Sequence, residues 1–169
     1  MNHSGPAYWL LKSEPSAFSI DDLARSPHQT DHWDGVRNYQ ARNFMRDQMR
    51  VGDLAFFYHS NCKPPAIVGI VRIVRSGYPD HTAWDPDSPY FDPKSTSDHP
   101  RWYMVDVQLE RKFSHPVTLP EMKVHPELAE FRLLKKGNRL SVMPVDPEHW
   151  HFILAFAEQA ASSKETRQR

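Results

Sequence analysis

Apolar positions along this chain gather into short bursts rather than long stripes. Tyr8-Trp9-Leu10-Leu11 is such a burst, closed by Lys12, Ser13, Glu14 and Pro15, and it predicts a buried strand. Ser19 is placed to cap a short helix over Ile20, Leu23 and Ala24, with Asp21 and Asp22 in its first turn and Phe18 in the position of a hydrophobic staple. Asn38 is placed to cap a second helix. There Ala41, Phe44, Met45 and Met49 recur at three- and four-residue spacing until the chain meets Gly52. Leu54 to His59, Ile67 to Val74 and Trp102 to Leu109 are β-branched or aromatic and of strand length. Leu140 to Val145 is a further short strand, and Asp146-Pro147-Glu148 is a strong helix start. Trp150, Ile153, Leu154 and Ala157 then fall on one stripe.

About five strands with three or more peripheral helices predict an α+β domain, and short strands broken by frequent turns favour a small barrel over an open sheet. Fifteen prolines against six glycines reinforce this. Many of the prolines fall in Pro79 to Pro100 and Pro116 to Pro147 and cut both regions into short pieces. With 169 residues the chain is one domain. The expected boundaries are a disordered 1–6, a folded 7–158 and a frayed 159–169.

Composition narrows the function. An apolar fraction of 39% with 12% aromatics belongs to a packed globule. Lys plus Arg, 21, balances Asp plus Glu, 21, which excludes a polybasic coat protein. The single cysteine, Cys62, excludes an internal disulfide and a Cys-rich zinc site and fits a reducing compartment. No apolar run is long enough for a membrane span, and Met1 to Pro6 lacks a signal-peptide core. The expected location is the cytoplasm. No phosphate loop, nucleophile elbow or His-Glu-x-x-His pair occurs, and the ten histidines are scattered, so neither a metal nor a cofactor is expected.

The densest polar signal is Trp33-Asp34-Gly35-Val36-Arg37-Asn38-Tyr39-Gln40-Ala41-Arg42-Asn43. A planar aromatic beside amides and guanidiniums is what reading a nucleobase requires: a face to stack on, and donors and acceptors for the edge. The same residues also suit a core tryptophan and an ordinary helix cap. Lys12-Ser13-Glu14, Tyr58-His59-Ser60 and Arg139-Leu140-Ser141 stand at strand ends, where pockets form and where polar residues also fall by default.

Taken together, these strings resemble the EVE domain family. Trp9 to Pro15, Trp33 to Asn43, Gly52-Asp53-x-x-Phe56-Phe57-Tyr58-His59-Ser60, Tyr78-Pro79-Asp80-x-Thr82-Ala83 and Arg139-Leu140-Ser141-Val142-x-Pro144-Val145 carry the likeness. It extends in order from about Ala7 to Ala157. The resemblance implies a PUA-like fold, a small twisted β-barrel of about five to six strands flanked by helices. It also implies a non-catalytic reader that draws a modified base of DNA or RNA into an aromatic-walled pocket. Carried over to this chain, Lys12, Ser13, Glu14, Trp33 and Asn38 would line the pocket. Tyr58, His59, Ser60, Arg139 and Ser141 would join them, and Arg37, Arg42 and Arg139 would hold flanking phosphates. Nucleic acid carrying a modified base is the expected partner, with no membrane and no obligate protein partner. Two alternatives stay open: a metal-dependent hydrolase using Glu14, His59 or the Asp80–Asp92 carboxylates, and a sensor of free nucleobases or nucleosides.

Overall fold

A computed structural model describes residues 5–167. Six strands form one mixed sheet: β1 (Tyr8–Ser13), β2 (Thr30–His32), β3 (Leu54–His59), β4 (Ala66–Pro79), β5 (Tyr103–Thr118) and β6 (Val142–Pro144). Their order across the sheet is β2-β5-β4-β3-β1-β6. The pairing of β1 with β3 is parallel, and the other neighbours run antiparallel. Four helices accompany it: α1 (Ile20–Arg25), α2 (Tyr39–Asn43, continued as a π-turn Phe44–Gln48), α3 (Leu119–Lys123) and α4 (Pro147–Arg167). This is the expected α+β, PUA-like fold, with the strands paired as an open sheet whose edges are β2 and β6 where the short strands favoured a closed barrel. Among the described residues no helix is long and apolar enough to cross a membrane.

The bursts of apolar residues in β1 and β3 follow from covering on both faces of the sheet. Successive side chains point to opposite sides. Trp9, Leu11, Ala55 and Phe57 join the core beneath α1 and α2, with Ile20, Leu23, Phe44 and Met45. Leu10, Phe56 and Tyr58 join a second core with Trp150, Ile153 and Ala157 of α4 and with Met122 of α3. There the Trp150 ring stacks 3.9 Å from Phe56 and 4.5 Å from Tyr8. Asp53, almost fully buried, ties the start of β3 to β1, accepting from Trp9 Nε1 at 2.9 Å and from the Ala7 amide at 3.1 Å.

Several expectations shift. Residues Thr30–His32, where the sequence offers no apolar run, pair with Gln108, Val107 and Asp106 as an edge strand. The strands β4 and β5 run well past Val74 and Leu109, because register shifts along their ladder let it continue through polar stretches that interrupt the alternation. The second helix switches to π-type bonding at Phe44 rather than continuing as one α-helix. The last helix is described as far as Arg167, and the expectations for 1–4 and 168–169 lie outside the described residues.

Candidate functional site

The strand β1 ends beside β6, with the Lys12 amide donating to the Ser141 carbonyl at 2.8 Å. This pairing brings Lys12, Ser13 and Glu14 together with Ser141. The edge strand β2 then delivers Asp31, His32, Trp33 and Asp34, and the Trp33 amide donates to the Val105 carbonyl at 2.7 Å. Between these two segments lies an open cavity of about 430 Å³. Its volume lies within the range of small-molecule sites.

Three aromatic rings line it: Phe18, Trp33 and Tyr90. Trp33 is the floor rather than a free-standing wall. Only 6% of the residue is exposed, and its indole meets Phe57 at 5.2 Å and Phe18 at 6.2 Å, both edge-on. Tyr90, 36% exposed, stands at the rim. Its ring packs on Gly35, where φ is +78° and a methyl group would come within 2.7 Å of the phenol carbons. Both the left-handed backbone and the ring demand glycine at this position.

Asp80 holds that wall from behind. Its carboxylate has no solvent exposure. It accepts from the Gly35 amide at 2.9 Å, Arg37 Nη1 at 3.0 Å and the Thr82 amide at 2.9 Å. Burial pushes the carboxyl pKa up, but the bonds from Thr82, Gly35 and Arg37 outweigh it and leave the group below its ordinary range. Arg37 also donates from Nη2 to the Tyr90 carbonyl at 2.7 Å, and its guanidinium lies 5.4 Å from the Trp102 ring centroid. Trp102 in turn stacks on Tyr39, with Arg42 over the Tyr39 ring at 4.8 Å.

The cavity interior is acidic. Lys12 shares its lining with Glu14, Asp31 and Asp34. Burial lowers the Lys12 ammonium pKa. Burial raises Asp34, and the neighbouring Asp80 and Asp31 carboxylates add to that while His32 opposes it. His32 Nε2 lies 3.6 Å from Asp34 Oδ2 and Nδ1 lies 3.4 Å from Asp31 Oδ1. The Ser13 hydroxyl is committed as a donor to the Phe18 carbonyl at 2.6 Å, leaving its lone pairs as acceptors.

The structure therefore brings Lys12, Ser13, Glu14, Trp33 and Ser141 onto one cavity, and the other sequence candidates lie off it. Asn38 is exposed and caps α2, accepting from the Ala41 amide at 2.9 Å. Tyr58 points to the opposite face of the sheet, in the second core, where burial pushes its phenol up to about 12. His59 accepts from the Ile20 amide through Nε2 at 3.1 Å and opens onto a separate hollow of about 290 Å³ lined by Pro64, Ala66, His115 and Glu121. Ser60 is placed by its amide on the Ser13 carbonyl at 3.0 Å. Arg139 is exposed and outside the cavity lining. Of the phosphate candidates, Arg37 is engaged by Asp80 and Tyr90, and Arg42 by the Arg101 carbonyl at 2.9 Å and by Asn43. Both are fold-building guanidiniums here.

Sequence reasoning missed Phe18, His32, Asp34 and Tyr90 as lining residues. His32 and Asp34 flank Trp33 and were within reach of the motif, whereas Tyr90 arrives from a distant Pro-rich loop with no local signal. The carboxylates of the hydrolase alternative do not converge with His59. Asp80 is fully engaged, and Asp92 accepts from Trp102 Nε1 at 2.7 Å. Among the described residues one set of metal-compatible groups, Asp146, Glu148 and His149, lies within 4.8 Å. It sits at the start of α4, where the helix dipole accommodates exposed acids without an ion.

Comparison with known proteins gives one consistent picture. A model of the EVE domain matches residues 7–156. Thymocyte nuclear protein 1 from Mus musculus is 46% identical over 172 residues, covering 92% of this chain and 75% of that one. A crystal structure of a Pseudomonas putida protein is 53% identical with a TM-score of 0.85, covering 89% and 99% of the two chains. The structure of human THYN1 protein in complex with 5-methylcytosine-containing DNA is 44% identical with a TM-score of 0.85, covering 90% and 98%.

Proposed function

The chain belongs to the EVE domain family, and from that premise we propose that it is a non-catalytic reader of modified DNA bases, taking a flipped base into the cavity above Trp33. The cavity itself carries the reading. Three aromatic rings and a set of hydrogen-bonding groups converge on one hollow of suitable volume. Support also comes from the relative of known structure that holds 5-methylcytosine-containing DNA.

The energetics are those of a modest binder. Extruding a base costs a few kcal/mol. Stacking returns about 1–3 kcal/mol, and the exposed Tyr90 ring supplies more of it than the sunken Trp33. A methyl mark adds about 0.8 kcal/mol when buried, so fit alone separates marked from unmarked bases by roughly fourfold. With Arg37 and Arg42 bound internally, these two guanidiniums make no phosphate contacts, and affinity falls only gently with salt.

Equilibrium titration of methylated and unmethylated oligonucleotides against wild type, Tyr90→Ala and Trp33→Ala tests this. Tyr90→Ala, which removes a rim side chain, weakens binding of the modified strand by about 1–3 kcal/mol, or roughly 5- to 150-fold. A folded Tyr90→Ala that binds as tightly as wild type overturns the slot. Trp33→Ala also removes core packing, so its binding is compared only where the protein is shown to be folded.

A further inference from the structure

The polar groups of the cavity have a bias that the aromatic rings do not explain. Three carboxylates, Glu14, Asp31 and Asp34, line the hollow with Lys12 and His32. Glu14 already accepts from Asn61 and Asp31 from the His32 amide, which leaves Asp34, with His32 at 3.6 Å, as the carboxylate with most acceptor capacity to offer. The Ser13 hydroxyl has already spent its proton on the Phe18 carbonyl. We infer that this acidic lining selects bases bearing an exocyclic amino group on their reading edge, with Asp34 as the residue that separates 5-methylcytosine from thymine. This rests on the reader function proposed above and names the class of base the same site takes.

Thymine and 5-methylcytosine have the same ring and the same methyl group, so stacking and shape complementarity treat them alike. They differ at position 4, an amino group in one and a carbonyl oxygen in the other, and in whether N3 carries a proton. The amino group offers two hydrogens to a lining rich in carboxylate oxygens, and carboxylates accept from cytosine N4. The thymine oxygen would instead face those lone pairs and leave its own unsatisfied. A site built to hydrogen-bond one group rejects an analogue that lacks it far more strongly than an apolar pocket rejects a missing methyl.

Asp34 is singled out by position. It follows the floor tryptophan and precedes the glycine on which the rim tyrosine packs. His32 approaches its carboxyl at 3.6 Å, the outer margin of an ion pair. Its raised pKa agrees with this placement: the carboxylate is desolvated, and the buried Asp80 and the adjacent Asp31 repel it. A donor delivered by a ligand would relieve it. The same acidity excludes phosphate from the hollow, so the base enters and its backbone stays outside.

The test uses otherwise identical duplexes carrying 5-methylcytosine, cytosine or thymine at one position opposite an abasic site. Each base then has no partner to lose, and binding is read by anisotropy at fixed salt. Wild type binds the 5-methylcytosine duplex at least about tenfold more tightly than the thymine one. In Asp34→Asn that ratio falls several-fold, because an amide can turn to present a donor to O4, while the ratio of 5-methylcytosine to cytosine is kept. Equal binding of thymine and 5-methylcytosine by wild type overturns the inference but leaves the reader intact. So does a folded Asp34→Asn with an unchanged ratio. If 5-methylcytosine and cytosine duplexes bind alike and Tyr90→Ala changes neither, the reader function itself fails.

Discussion

Asp80→Asn removes one charge and replaces one carboxylate oxygen by an amide nitrogen, with little change in shape. In the wild type one oxygen serves Thr82 and the other serves Gly35 and Arg37. The asparagine has a single oxygen, so its NH₂ must oppose one of these donor pairs. Breaking a buried ion pair from one side costs about 3–5 kcal/mol when both groups are sealed. Here the Arg37 side chain keeps 23% of its exposure and recovers some hydration, so the lower limit, about 3 kcal/mol, is the expected loss. For a chain of this length that corresponds to a fall in Tm of roughly 6–12 °C. Thermal and urea unfolding followed by both tryptophan fluorescence and circular dichroism measure it, and a cycle with Arg37→Met isolates the pair. The acid limb gives a second readout. A carboxyl held below its ordinary value contributes stability that is complete above about pH 4 and is lost as pH falls through its folded value, so Asp80→Asn flattens that limb. A loss below about 1 kcal/mol, with no coupling to Arg37, refutes the view that Asp80 is the hidden brace of the cavity wall.

Other consequences are independent of this one. Asp34→Asn raises Tm at neutral pH while it weakens base discrimination, because a carboxyl whose pKa is raised in the fold loses its advantage as pH climbs through the folded value; an unchanged or lower Tm contradicts this. His59 is held neutral by burial and uses Nε2 as an acceptor for the Ile20 amide. Stability therefore declines as pH falls below about 6.5, and His59→Gln, which keeps an acceptor, removes that decline in pH-dependent unfolding. Gly35→Ala forces a side chain into the left-handed region and against the Tyr90 ring; a loss of at least about 1–2 kcal/mol in denaturant unfolding is expected from the backbone alone.

The fold was largely legible because its signals are local. The Ser19 and Asn38 caps stand where residue chemistry puts them, and Leu54–His59 has the bounds its apolar run predicts. What escaped depends on long-range pairing. Thr30–His32 is a strand only because β5 offers it an edge, and β5 itself extends into Arg111 and Lys112 because β4 supplies partners for them. The site divides in the same way. Lys12, Ser13, Glu14 and Ser141 were found because strand ends gather polar groups. Tyr58 and His59 were misplaced because a strand-end motif does not say which face each side chain takes. Tyr90 comes to the rim through the Asp80–Arg37 brace, a contact between residues 43 positions apart in the chain.

Reading by this chain requires a base to leave its helix and enter the hollow over Trp33. A crystal structure of this protein bound to a duplex with one 5-methylcytosine tests it most directly. The expected complex holds that base in the cavity, against Tyr90 and above the indole, with its amino group within about 3.2 Å of the Asp34 carboxyl. A complex in which every base remains stacked in the duplex, with the DNA held elsewhere on the surface, would contradict it.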